Sequence, residues 1–430
     1  MKLTLKNIGK IGAASVEING ITVIAGENNT GKSTVGKALY CLFRAFHNIN
    51  DKIKEERSLS VYRTISNPLR NRRTSTGAGL GNFRKIAEEL CKDRIKYMEN
   101  TDELRSYLER LYKTYRSRDM GIEIIAEDDI DTVFNKVLSY LKLEDTTIKA
   151  NVLRNILRSE FNMQISHVNA RELPSSMVLE IHGKESIDVE VTNNEAIHIR
   201  SSIDVYSSLA YLEDPFVIDE LASSLPFIVV HSENHRADLT EMLTQKRSRS
   251  LVSNVMEEMI VSEKLEQIFD ILNHICEGTL AKNENGYGYA YASSKYETPI
   301  ALSNISTGFK TFLILKTLLM NGAIEEGGTI ILDEPEIHLH PEWQLVLAEL
   351  IVLIHREFGI HVLLNTHSPY FLNAIEVYAA KHGVDDKCKY YLASSQDDVS
   401  SIEDVTNHIE AIYRKLAGPL QELENERGRL

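Results

Sequence analysis

Short runs of apolar, often β-branched residues open the chain at Ser15–Ile18 and Ile21–Ala25, within a strand, strand, strand, helix order. A turn rich in glycine and asparagine follows. Val35, Leu39, Leu42, Phe43 and Phe46 then fall three or four apart, which predicts a helix. From about 45 to 160 the pattern is helical, charged and poor in strands. It contains one loop-like tract, Asn67 to Gly81, with Pro68, Gly77 and Gly79. Alternation returns at Val178, Leu179, Ile181, then Ile187, Val189, Val191, then Ile197, Ile199. That predicts an antiparallel meander with turns near Gly183 and Asn193-Asn194. Pro226–His231 reads as a strand, Val252–Cys276 as a helix, and Gly278–Leu302 as a hairpin around Asn283-Glu284-Asn285-Gly286. The last third alternates: helix Phe309–Met320, strand Thr329–Leu332, helix Pro341–Phe358, strand His361–Asn365, helix Tyr370–His382, strand Lys389–Leu392. Such alternation predicts a mostly parallel, helix-covered sheet. The tail from Ile402 to Leu430 reads as polar and helical, interrupted at Gly418-Pro419.

One sheet is therefore expected from both ends of the chain, with the middle inserted. The predicted segments are 1–45, 46–160 (a helical insertion), 161–395 (meander, hairpin and the rest of the sheet) and 396–430 (a helical tail). The fold class is α/β. Composition narrows this little: 43% apolar and 26% charged residues exclude a disordered, collagen-like or disulfide-scaffold chain. The longest apolar stretches, Thr311–Met320 and Leu345–Ile354, each carry a charge (Lys316, Glu349). Both fall short of the ~20 residues a spanning helix needs. With no apolar leader after Met1, the expected compartment is the cytoplasm. A net charge of −14 excludes a general binder of phosphate backbones, so any nucleic-acid contact must be local. Cys41, Cys91, Cys276 and Cys388 are scattered without a C-x-x-C, as expected of reduced thiols.

Two motifs carry chemistry. Gly26-Glu27-Asn28-Asn29-Thr30-Gly31-Lys32-Ser33 matches G-x-x-x-x-G-K-[ST] between an apolar strand and a helix. Its glycines let backbone N–H groups turn toward phosphate oxygens, and the helix start adds the positive end of its dipole. Lys32 would lie against the β- and γ-phosphates of ATP. Ser33, with Thr34 beside it, would hold Mg²⁺. Thr329-Ile330-Ile331-Leu332-Asp333-Glu334-Pro335 is an apolar strand ending in two carboxylates. Asp333 fits a metal-holding role and Glu334 that of a general base. His338 and His340, just beyond, read as structural or interface residues rather than transition-metal ligands. His367, at the end of the strand His361–Asn365, stands where it could reach a γ-phosphate or the attacking water. Ser306, Gly308 and Lys310 open another helix, and such a start binds anions through its backbone N–H groups. Ser306 is expected to cap that helix in any case.

These motifs in this order resemble the ATPase head of the soluble ABC superfamily, which includes SMC, RecF-like and OLD-like proteins. The Asp333-Glu334-Pro335-Glu336-Ile337-His338-Leu339-His340-Pro341 block is similar to that of stand-alone AAA-family ATPases. Many of those are subunits of anti-phage systems such as Septu, PARIS and the retron-linked ATPases. The resemblance implies an ABC-type head, a mostly parallel sheet with an antiparallel β subdomain, and a helical insertion. It implies a head-to-head homodimer around ATP, with Ser306, Gly308 and Lys310 meeting the phosphates of the other copy. It also implies Glu334 as the hydrolytic glutamate, His367 as the switch histidine, and Gln164 as a Mg²⁺-sensing glutamine. Thr307 stands where transporter signatures have glycine, which implies slow hydrolysis. OLD nucleases carry a further nuclease domain, for which the residues after His367 are too few. The expected partner is thus a separately encoded effector, a nuclease. The alternative is a RecF-like ATPase that clamps DNA.

Arg63, Arg70, Arg72 and Arg73, with Arg84 and Lys85 nearby, form one basic cluster, and Lys246, Arg247 and Arg249 a second. They offer contact to DNA or RNA phosphates, against the plainer alternative of a solvated or protein-docking face. A transporter cassette is disfavoured by the long insertion. A GTPase is disfavoured because Asn135-Lys136-Val137-Leu138 is not an Asn-Lys-x-Asp motif.

Overall fold

Four strands are apolar at nearly every position, and in the computed structural model they lie side by side with helices on their faces. The structure describes residues 1–70, 80–118, 127–169, 171–183, 185–223, 234–245, 266–283, 288–427 and 429. The chain divides into two compact units, Met1–His47 with Leu153–Leu430, and Asn48–Val152.

The larger unit is built on one eleven-stranded sheet. Its strands are β1 (Lys2–Ile8), β2 (Ile11–Glu17), β3 (Ile21–Gly26), β4 (Ser175–Ile181), β5 (Glu185–Thr192), β6 (Ala196–Ser201), β7 (Leu209–Leu212), β11 (Thr329–Asp333), β12 (His361–Thr366), β13 (Cys388–Gln396) and β14 (Val399–Asp404). Three short strands, β8 (Thr279–Lys282), β9 (Tyr289–Ala292) and β10 (Ile300–Ala301), form a separate antiparallel sheet. The large sheet runs β6-β5-β4-β1-β2-β14-β13-β3-β12-β11-β7. Within it β13, β3, β12, β11 and β7 are mutually parallel. Burial on both faces explains the unbroken apolar runs of β3, β11, β12 and β7. The meander β4–β6 has the expected turns: His182 and Gly183, then Asn193 and Asn194, adopt positive φ. It extends the main sheet through β1 rather than forming a sheet of its own.

Helices of this unit are α1 (Lys32–Phe46), the end of α7 (Asp145–Phe161), α8 (His235–Thr244), α9 (266–275), α10 (Thr307–Met320), α11 (Pro341–Phe358), α12 (Pro369–Lys381) and α13 (Glu410–Arg427). Phe312, Leu313, Leu347, Leu350, Phe371 and Ile375 pack with Val23, Ile330 and Leu364 of the sheet into one core. The other unit contains α2 (Ile49–Arg70), α3 (Leu80–Lys92), α4 (Arg94–Glu99), α5 (Thr101–Arg118), α6 (Glu127–Lys142) and the start of α7. It has its own core, with Val61, Ile65, Phe83, Leu90, Leu104, Leu108, Val137 and Leu141 fully buried. Arg57 ties α2 to the end of α6, donating to the carbonyls of Tyr140 and Leu143 and to Asp145.

Several expectations are corrected. The tail does not begin as helix: 399–404 is β14, inserted between β13 and β2. Buried Ser400 and Ile402 alternate with exposed neighbours, a period of two too short and too polar to stand out in the sequence. α13 continues through Gly418-Pro419, so the proline does not end it. α2 runs past Asn67 and Pro68 to Arg70. β7 was not expected at all. The predicted strand Pro226–His231 lies outside the described residues, as does 252–265 of the helix expected at Val252–Cys276; the described part, 266–275, is helical (α9). Among the described residues no helix is long and apolar enough to cross a membrane.

Candidate active site at the carboxyl ends of the parallel strands

The parallel strands carry their ligand-facing residues at one edge, because all five end on the same side. Open α/β sheets bind ligands outside those carboxyl ends. Register fixes who stands beside whom. Asp333 is opposite Asn365, and Asn365 is opposite Ile24 of β3. Leu332 is opposite Leu212, so Glu213 follows alongside Asp333. Residues more than three hundred positions apart in sequence are thereby brought together.

The loop between β3 and α1 is shaped by its glycines. Gly31 sits at φ 83° in the cap position of α1, and Asn29 at φ 66°. A Cβ on Gly26 would lie 2.3 Å from the carbonyl oxygen of Ala393 on β13, so only glycine fits. Thr30 Oγ1 donates to the Glu27 carbonyl at 2.8 Å and braces the loop. Lys32 is 4% exposed, and its ammonium donates to the carbonyls of Gly26 (3.0 Å) and Glu27 (2.9 Å). It also stands 3.4 Å from Glu334 Oε1. Asn28 is exposed at the tip of the loop, and the Thr34 amide donates to the Gly31 carbonyl at 3.1 Å.

Asp333 is buried and receives hydrogen bonds from Asn365 Nδ2 (3.0 Å), the Tyr211 hydroxyl (3.1 Å) and Ser33. Burial nonetheless holds its carboxyl above the usual range. A buried carboxylate beside a serine hydroxyl is an oxygen-only donor set, which fits Mg²⁺ rather than a softer metal. Glu334 comes next, at φ 48°. That is a costly backbone for a side chain with a Cβ, and it is held by the bond from its N–H to the Asn365 carbonyl (2.9 Å). The result aims the side chain back over the strand ends. Glu334 Oε1 stands 3.4 Å from Lys32 Nζ and 3.3 Å from His367 Nδ1. Two of the residues expected to act on the γ-phosphate and water, Lys32 and His367, thus converge on the carboxylate of the third, Glu334.

The remaining expected residues are placed less uniformly. Ser306 is exposed at the cap position of α10, but its hydroxyl makes no capping bond, contrary to expectation. Gly308 packs against the 338 backbone, where a Cβ would lie 2.8 Å from the His338 oxygen. Lys310, expected to meet a phosphate, is turned inward instead. It is 2% exposed, 2.6 Å from Asp219 Oδ2, with its ammonium over the Phe216 ring. Gln164 is exposed, on the turn before Ile165, whose carbonyl accepts the Gly9 amide. His340 caps α11, its Nδ1 accepting from the Glu342 amide, and His338 meets the Phe216 ring edge-on. Of the first basic cluster, Arg63, Arg84 and Lys85 are exposed, with Arg84 3.6 Å from Glu88. The Arg70 side chain, Arg72 and Arg73, and Lys246, Arg247 and Arg249 of the second cluster, lie outside the described residues.

Other residues of the site escaped the motif search. Tyr211 stacks on the His235 ring at 4.4 Å. His235 lies between two carboxylates, with Nδ1 2.7 Å from Glu160 and Nε2 3.0 Å from Glu213. Lys37 is 3.4 Å from Glu213. The His235 bond pulls the Glu213 carboxyl down to about 2. This array backs Asp333 with a network of paired charges, buried at Glu160 and His235 and partly exposed at Glu213 and Lys37. Tyr211 and Glu213 gave no sequence signal because β7 is only four residues long. Asn365 and Thr366 were visible only as the end of an apolar strand.

The AAA ATPase domain family matches residues 1–372. The retron Vc95 probable ATPase of Vibrio cholerae serotype O1 biovar El Tor is 29% identical over 92 residues. That match takes in 19% of this chain and spans only 17% of the relative's length. Among solved structures, an SMC head bound to the C-winged helix domain of ScpA is similar at 12% identity and a TM-score of 0.42, covering 94% of this chain and 96% of that one. The SMC head domain from Thermotoga maritima is similar at 11% identity and a TM-score of 0.35, covering 94% and 98%. The family match takes in both the phosphate-type loop and the carboxylate that Lys32 and His367 flank, and the chain belongs to the AAA ATPase domain family.

Proposed function

We propose that this chain is a Mg²⁺-dependent ATPase that dimerises head to head around ATP and regulates a separately encoded effector, a nuclease, in anti-phage defence. The convergence of Lys32 and His367 on Glu334 Oε1 carries the hydrolytic part. The loop 26–33 and the start of α1 would bind the phosphates through their N–H groups. Lys32 would exchange its contacts to Gly26, Glu27 and Glu334 for phosphate oxygens. That exchange leaves the Glu334 carboxylate to accept a proton from water, with His367 orienting it. Ser33 and Asp333 would hold Mg²⁺, with Gln164 approaching from its turn. The ion neutralises charge on the phosphate oxygens when bound. Ser306, with its hydroxyl not spent on capping, and Gly308 are the residues offered to the second copy. Lys310, paired with Asp219, is left out of that contact.

Similarity to a protein named as a retron ATPase supports the effector reading. The exposed Arg63, Arg84 and Lys85 favour the alternative of a DNA clamp. Lys32→Ala should weaken ATP binding about tenfold or more, the worth of one charge-assisted contact. Unchanged affinity by calorimetry would remove the loop from the phosphate site. Glu334→Gln should lower turnover by about 10²–10⁴ and leave binding intact. With ATP and Mg²⁺ it should elute as a dimer, and a monomer would count against closure on ATP. Tagged Glu334→Gln protein, expressed from its own locus and analysed by mass spectrometry, separates the two readings. A stoichiometric neighbour-encoded nuclease supports the effector switch. Recovery with nuclease-sensitive DNA alone supports the clamp.

A further inference from the structure

Behind the Glu334–His367 pair lies a carboxyl group that the steps above do not use. Glu336 is 2% exposed. Its Oε1 accepts a hydrogen bond from the Thr366 hydroxyl, and among the described residues its Oε2 has no hydrogen-bond partner. The same Thr366 oxygen accepts the Ser368 amide at 3.0 Å. Thr366 and Ser368 flank His367, so this hydroxyl closes the turn that carries the histidine. The backbone of Glu336 is itself anchored, its carbonyl accepting the Leu339 amide (3.0 Å) and Gln344 Nε2 (3.4 Å). The end of β11 is therefore tied to the end of β12 twice: by the Glu334 amide on the Asn365 carbonyl, and by Glu336 on Thr366. The first tie fixes Glu334 and the second fixes the turn of His367.

We propose that Glu336 is a positioning residue for the Glu334–His367 pair, acting by accepting the Thr366 hydroxyl and so fixing the turn that aims His367. The proposal rests on the hydrolytic role given to Glu334. Glu336 does this through its hydrogen bond to Thr366 rather than through its charge. The charged groups that face it are His367 and Glu334, and an ionised carboxylate buried at 2% exposure would lack a firm cation partner. Burial raises its carboxyl above the usual range. A neutral acceptor should then be enough. Glu336→Gln keeps an acceptor of the same shape, Glu336→Leu removes it at similar volume, and Thr366→Val removes the hydroxyl, which donates to Glu336 and accepts from the Ser368 amide.

The test measures ATP affinity, turnover across pH, and the His367 imidazole signal in protein labelled with ¹⁵N-histidine, assigned by its loss in His367→Gln. Glu336→Gln should stay within about threefold of wild-type turnover. Glu336→Leu and Thr366→Val should each lose about tenfold to a hundredfold, the scale of a misplaced catalytic group, with ATP affinity unchanged. In both, the His367 signal should shift or broaden and the pH profile should change, as a purely structural loss would not require. The double variant should be no worse than Thr366→Val alone, because the bond that Glu336→Leu cuts is already lost with the Thr366 hydroxyl. Wild-type turnover in Glu336→Leu would overturn the proposal. So would a Gln variant as inactive as the Leu variant, since charge rather than hydrogen bonding would then matter. If Glu336→Leu does not fold, Thr366→Val decides, because it deletes only a hydroxyl. Should the folded wild-type protein fail to hydrolyse ATP, the hydrolytic reading falls by itself, and the His367 signal still decides the positioning.

Discussion

At the residue scale the site is a set of side chains whose usual costs are met by their neighbours. Lys32 is buried, yet two carbonyls and Glu334 surround its ammonium. Asp333 is buried, yet three donors face it. Glu334 holds a left-handed backbone in front of a proline, a conformation that persists only where surrounding bonds impose it. Gly26 shows how a loop residue can be demanded twice, by the phosphate binding proposed for the loop and by packing. Its α-hydrogen faces the Ala393 oxygen, and a methyl group there would sit at 2.3 Å. Gly26→Ala should therefore destabilise the fold by about 1–3 kcal/mol, the usual cost of overpacking, besides weakening nucleotide binding. Urea unfolding checks this, and an unchanged midpoint would mean that β13 shifts freely away from the loop.

At the element scale, the short strand β7 and the first turn of α8 form the back wall of the site. Their pH dependence follows from two opposite shifts. The His235 bond is the main reason that Glu213 sits at about 2 instead of 4.5. Its stabilisation is complete above 4.5 and fades as pH falls toward 2. Burial pulls His235 down, but Glu160 and Glu213 together raise it above its ordinary 6.5. That contribution is complete below 6.5 and fades as pH rises through the raised value. The gap in melting temperature between wild type and His235→Gln should thus be widest between pH 4.5 and 6.5. A gap that is flat from pH 4 to 9 would show that the two carboxylates do not hold the imidazolium. The elements also show where pattern reading fails. α10, α11 and α12 were legible because a helix of thirteen or more residues repeats its period several times. β7 and β14 were not: β7 is only four residues long, and β14 buries only Ser400 and Ile402, a polar and an apolar residue.

At the scale of the whole molecule, the chain leaves the sheet after His47 and returns at Leu153. The excursion has a buried cluster of its own, with Phe83, Leu104, Leu108 and Val137 at its centre. Residues 48–152 alone should accordingly show a helical circular-dichroism spectrum and one cooperative thermal transition. A spectrum without a transition would mean that these helices need the rest of the chain to order them.

The sequence by itself determined the candidate chemistry and most of the long elements. The Gly26–Ser33 spacing and the Asp333-Glu334 pair are local, and local spacing is what a sequence displays. Only the tertiary structure decided which strands are neighbours, because strand order follows from how a sheet closes over its helices and not from chain order. That order set Asn365 beside Asp333, put Tyr211, Glu213 and His235 behind it, and tied Glu336 to Thr366. It also turned Lys310 into the interior, where Asp219 and Phe216 made burial of its charge tolerable. Each of these rests on a contact across more than twenty residues of intervening chain, and nothing in the spacing of residues along the sequence records such a contact.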